Sequence, residues 1–173
     1  MNSTELLFFS LKKYYSRTNN IMIIKHIIDG NNSRLSLRLI DWYVTNYCKT
    51  KNIVYSINSN EYFNVYMNYR SQLKAFKKIQ FDPFRRRERI TFKFNDNETI
   101  NTTIGQLNFF RWAIDNKVIQ NLENDIANVE KDMITRQKYI KVKLDDDNIF
   151  SEKKPNSIKN MTKFPGKATL LFT

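Results

Sequence analysis

Nine cationic side chains crowd one short stretch of this chain: Arg70, Lys74, Lys77, Lys78, Arg85, Arg86, Arg87, Arg89 and Lys93. Only Asp82 and Glu88 oppose them there, so the stretch holds +7 of the chain's net +12. Guanidinium and ammonium groups at this density repel one another unless a polyanion or a packed scaffold compensates them. Phosphate is the anion their chemistry fits best. Phe76, Phe81, Phe84 and Phe92 are threaded through the same residues. A phenyl ring left outside the core can stack on an unpaired base. Arg85-Arg86-Arg87 follows the turn-forming Asp82-Pro83, and arginines on a tight turn are expected to project together and fork onto successive phosphates. The tripeptide is also a weak match to a nuclear-import patch. Two other readings stand beside phosphate binding. One is a solvated basic face with all four phenylalanines in the core; the other is an acidic protein as the counter-charge.

Other chemistry is thin. Cys48 is the only cysteine and His26 the only histidine, so an internal disulfide and a thiolate–imidazole zinc site are both ruled out. As nucleophile and base the two lack an orienting third group and an oxyanion element, and fall on different predicted helices. The chain has three glycines and no Gly-rich loop to cradle a nucleotide phosphate. Asp145-Asp146-Asp147 lacks the glycine and distant glutamate of a calcium loop and reads as a solvated turn. The expectation is therefore no enzyme, no cofactor and no metal. A lone cysteine fits a reducing, intracellular compartment. The apolar run Ile21–Ile28 is cut by Lys25 and His26 and is far shorter than the ~20 residues of a membrane span. No leader signature is visible at the start.

The elements that must position these residues are mostly helical. Leu6, Leu7, Leu11, Tyr14 and Tyr15 share a face of a helix over 4–17. A second helix covers 20–29, with Gly30 as its C-terminal cap. Ser33 or Ser36 caps a third, running to about Lys49 and carrying Leu35, Leu39, Trp42, Tyr43 and Tyr47. Ile53–Ile57 alternates as a short strand. Residues 59–78 fit both periods, and their length and the run Ser71–Ala75 favour helix. Ile90, Phe92 and Phe94 alternate as a half-buried strand; Asn95-Asp96-Asn97 reverses the chain, and Glu98–Asn101 returns as its partner. Thr103 to Gln106 fits a capping box that opens an apolar helix with Leu107, Phe109, Phe110, Trp112 and Ile114. Trp42 and Trp112 read as core residues. Beyond Asp115-Asn116 a helix continues or restarts to about Lys138, with Ile119, Leu122, Ile126, Val129 and Met133 at heptad spacing. Two heptads favour packing inside the domain over self-association through 119–133. The fold class predicted is a mostly helical α+β domain over 1–140 with a small antiparallel hairpin near 89–101. An extended or mobile basic tail follows over 141–173, interrupted by Pro155 and Pro165, with a small apolar patch at Ala168–Phe172.

Asn, Ile and Lys make up 60 of the 173 residues, which points to an A/T-rich genome. Four runs carry a family resemblance: Leu37–Tyr47 (LRLIDWYVTNY), Ser71–Ala75 (SQLKA), Phe81–Arg86 (FDPFRR) and Thr102–Ile114 (TTIGQLNFFRWAI). Together they resemble a family of small, basic, uncharacterised proteins from giant nucleocytoplasmic DNA viruses. The likeness spans roughly 35–120. It implies a viral origin and a role in the host cytoplasm or the virion, and it supplies no catalytic residues.

The function expected is non-enzymatic, largely sequence-independent binding of nucleic acid, DNA before RNA, through the nine cations of 70–93. The rival is a viral structural or adaptor protein that docks other viral proteins through the 117–138 helix and the tail.

Overall fold

The computed structural model describes residues 2–17, 20–30, 34–94 and 98–152. The chain divides into two units, Met1–Thr135 and Arg136–Thr173. Among the described residues, the first holds all four strands and the whole buried core.

Helix α1 (Ser3–Tyr15) starts on a capping box, in which Asn2 and Glu5 each accept the other's backbone N–H. It buries Leu11 and Tyr15, the lower half of the predicted face; Leu6 stays exposed. Helix α2 (Asn20–Ile28) buries Ile21, Ile24 and Ile27 at a three-residue spacing. Gly30, at φ +71°, lies just past its end, in the left-handed region that glycine enters without steric cost. Ser36 caps α3 (Leu37–Trp42) by accepting the N–H of Leu39. One π-helical turn, Tyr43–Tyr47, joins α3 to α4 (Cys48–Lys51), and Asn52 ends the run at φ 49°. Tyr43 and Tyr47 stack with ring centroids 6.0 Å apart. Their hydroxyls donate to Asn121 and Asp125, and the Trp42 indole donates to Asp132, so this aromatic stripe is tied to residues of α7 (Val118–Asn124) and α8 (Ile126–Glu152) or the junction between them.

Strand β1 (Val54–Asn58) has a partner that the sequence did not predict. The helix expected over 59–78 begins only at Val65: Glu61–Asn64 is β2, antiparallel to β1, and α5 is Val65–Ala75. Phe63 is buried and faces Tyr55 across the pair while Tyr62 is exposed, so the two-residue period wins up to Asn64. Asn64 then caps α5 by accepting the N–H of Met67. After a 3₁₀ turn at Lys78–Gln80, β3 (Ile90–Lys93) pairs antiparallel with β4 (Thr99–Thr102), where Phe92 and Ile100 are opposed and both buried. This is the hairpin expected near 89–101; its Asn95-Asp96-Asn97 reversal lies outside the described residues. The mostly helical α+β class holds.

Helix α6 (Ile104–Asp115) is the centre of the first unit, with eight of its residues buried. Trp112 packs within 5.6–6.4 Å, centroid to centroid, of Phe63, Tyr69, Phe81 and Phe109. Its indole N–H donates to Asn68. The following helix restarts twice. Lys117 turns left-handed at φ 56° before α7, and Asp125 separates α7 from α8. Ile119, Leu122 and Val129 are buried, and Ile126 and Met133 pack half-buried against the same core. The heptad positions are therefore filled by intramolecular packing. The backbone of α8 runs to Glu152 rather than ending near Lys138, since no proline or glycine interrupts it before Pro155. Residues 153–173, with the Ala168–Phe172 patch, lie outside the described residues.

Candidate nucleic-acid interface

The basic segment is held in place by α6. Thr103 caps that helix by accepting the N–H of Gln106. The predicted reciprocal bond is not made, because the Gln106 side chain is used elsewhere: its Nε2 donates to the carbonyl of Pro83 (2.9 Å) and its Oε1 accepts the Thr102 hydroxyl (3.1 Å). One turn on, Asn108 donates to the carbonyl of Gln80 (2.9 Å). Gln80 in turn donates to the Thr4 hydroxyl at the start of α1 (3.1 Å). Gly105 completes the clamp. A Cβ there would come within 2.9 Å of the Ile79 carbonyl oxygen and 3.2 Å of the Asp82 nitrogen, so only glycine lets the turn approach this closely. The buried polar residues thus form two sets, Thr102, Thr103 and Gln106 on the Pro83 carbonyl and Asn108 with Gln80, which together hold the turn on the helix.

From this clamp the cations extend into solvent. Arg70 and Lys74 lie one turn apart on α5, Lys77 and Lys78 enter the 3₁₀ turn, and Arg86, Arg87 and Arg89 lead into β3; all seven are exposed. None of the seven makes an ion pair within 4.0 Å among the described residues. Arg85 behaves differently. It is half-buried, its Nη2 sits 3.3 Å from the Glu88 carboxylate, and its Nε is buried without a hydrogen-bond partner. The arginine triplet therefore does not project together as predicted: Glu88, turned left-handed at φ 58°, draws Arg85 back and leaves Arg86 and Arg87 outward.

Of the four phenylalanines, Phe81 and Phe92 are buried, Phe76 stacks on Phe81 at 6.0 Å, and Phe84 alone is exposed, at 39%. Phe84, Leu73 and Lys78 border a groove of about 500 Å³ whose floor includes Tyr69, Phe81 and Asp41. Burial holds the Asp41 carboxyl above the usual carboxylate range, and the charge of Asp82 pushes the same way.

Lys93 is not at this groove. It lines another, of about 450 Å³, with Phe9, Lys12, Lys13, Ser16, Phe92 and Phe94 between α1 and β3. A third depression shares Lys13 and adds Ser10, Tyr14, Arg17, Arg111 and Asp115. Lys12, Lys13, Arg17 and Arg111 are too dispersed along the chain for charge density to single them out. The signal available was helical: Phe9, Lys13 and Arg17 recur at a four-residue spacing.

Cys48 is fully buried, and burial pushes its thiol up to about 12, which removes it as a nucleophile at neutral pH. His26 stands exposed on α2. Among the described residues no group of three or more His, Cys, Asp or Glu is placed to hold a metal, and no helix is long and apolar enough to cross a membrane.

A model of a family of unknown function, DUF7197, matches residues 1–167. The chain belongs to that family. This DUF7197 member is similar to Uncharacterized protein L507 of Acanthamoeba polyphaga mimivirus, with 38% identity over 131 residues that cover 70% of the chain and 50% of the relative. It thus spans about half the length of the curated relative it matches. No solved structure matches it. The mimivirus relative agrees with the giant-virus resemblance carried by the sequence runs.

Proposed function

We propose that this DUF7197 member is a non-enzymatic nucleic-acid-binding protein of a large DNA virus, with contacts directed at phosphate and little preference for sequence. The observation that carries the reading is the set of seven exposed cations between Arg70 and Arg89 that lack any ion pair among the described residues. Such a set has no ion-paired counter-charge among the described residues, and a phosphate backbone offers charges at matching density. Phosphate contacts position a protein on nucleic acid without reading bases, hence the expected indifference to sequence. The buried amide bonds support the same reading, since they spend several buried polar groups on holding the turn that carries Lys78. Arg85 belongs to the turn's internal structure and is left out of the phosphate set.

The test is the triple variant Arg86→Ala, Arg87→Ala, Arg89→Ala, titrated with duplex DNA over a range of salt concentrations. All three side chains are exposed, so folding should be unaffected. Each lost phosphate contact should lower the log–log salt slope by roughly 0.9 and weaken unrelated sequences alike. Unchanged affinity and slope would contradict the assignment.

A further inference from the structure

We propose that the groove between α1 and β3 receives an unstacked base of a single-stranded nucleic acid, with Phe9 as the stacking platform and lysines holding the flanking phosphates. The inference rests on the nucleic-acid reading above, but it assigns a separate site and a strand type.

Phe9 is 62% exposed, and among the described residues it has no ring or cation partner. Its neighbour Phe8 takes the inward role. That ring packs edge-on against Phe92 at 6.2 Å and lies under Lys12 Nζ at 4.7 Å. One exposed phenylalanine is ordinary on a protein surface, as is one lysine. Here ring and charge converge in one groove of about 450 Å³, a volume suited to a nucleobase. Lys12 and Lys13 line it with Phe9, Phe94 and Lys93, and among the described residues no carboxylate does.

Charge complementarity selects the occupant. An apolar peptide would leave the Lys12 and Lys13 ammonium groups without counter-charge, and an acidic peptide would leave the Phe9 face unused. A nucleic-acid strand supplies both an anionic backbone and an aromatic face. Duplex bases are stacked on one another and cannot reach Phe9, so the strand is single. The adjoining depression continues the path: it shares Lys13 and presents Arg17 and Arg111, and its carboxylate, Asp115, accepts the Tyr14 hydroxyl at 2.7 Å.

The experiment compares the full chain's affinity for a short oligothymidylate with that for a strand of equal length made of abasic sugars. The wild type should bind the abasic strand about 5- to 150-fold more weakly, the range expected for one stacked base. Phe9→Ala should remove that difference and leave abasic binding unchanged, and Phe9→Trp should restore it. Equal affinity for the two strands, or a preference that survives Phe9→Ala, would overturn the groove assignment while leaving phosphate binding by the Arg70–Arg89 set intact. Binding of neither strand and of no duplex would instead remove the nucleic-acid reading itself. Capture of polyglutamate in that case would give the surface to an acidic protein and overturn both.

Discussion

Trp112 illustrates what a single residue contributes. Flanked by Phe109, Phe110 and Ile114, it reads as core from sequence, and it is buried to 6% exposure among four aromatic rings. Trp112→Ala should lower unfolding free energy by about 3–5 kcal/mol, measured by urea denaturation. A loss below about 1 kcal/mol would show that the cluster does not depend on it. Its hydrogen bond to Asn68, 44 positions away, was not legible, because a polar partner at long range leaves no local pattern. The same limit hid the fate of the arginine triplet. Nothing in the string Arg85-Arg86-Arg87-Glu88 says which arginine the glutamate takes; the backbone decides it by turning left-handed at Glu88.

At the scale of elements, the turn of residues 78–83 and the first turns of α6 act as one piece. Gly105 lies against the backbone of the turn, so its replacement tests the clamp. Both nearby atoms are backbone and cannot rotate away. Gly105→Ala should cost about 1–3 kcal/mol and weaken nucleic-acid binding together with stability. An unchanged denaturation midpoint would mean that the turn gives way freely. Much of this level was legible. The three-residue spacing of Ile21, Ile24 and Ile27 specifies α2, and the alternation of Ile90, Phe92 and Phe94 specifies β3. The β1–β2 hairpin was not, because Tyr62, Phe63, Tyr66 and Tyr69 satisfy helical and strand periods alike and only pairing with Tyr55 decides between them. The restart at Lys117 is one of the two readings the sequence allows after Asp115-Asn116, whereas the break at Asp125 was hidden, since the heptad spacing from Ile119 to Met133 continues straight across it.

Across the whole molecule, tyrosine burial sets the response to alkali. Burial pushes the Tyr69 hydroxyl up to about 12, those of Tyr43 and Tyr55 higher still, and that of Tyr15 well above its ordinary value. Tyrosines in the unfolded chain ionise near 10. Above that value the unfolded state binds fewer protons than the folded one, so stability is full below about pH 10 and falls steadily above it. Spectrophotometric titration should show these tyrosines ionising late and together with unfolding; smooth ionisation near pH 10 with the fold intact would contradict their burial. The basic character of the molecule was plain from its sequence, but its division between two grooves was not. Lys93 is adjacent to the Arg70–Arg89 set in sequence and joins α1 in space, where it meets Lys12 and Lys13.

The most direct test of the central claim is equilibrium binding of the full chain to two mixed duplexes of unrelated sequence, titrated across salt. Equal affinity for both is predicted, with log Kobs falling linearly in log salt by roughly 0.9 for each phosphate contacted. Affinity that ignores salt, or a strong preference for one duplex, would contradict it.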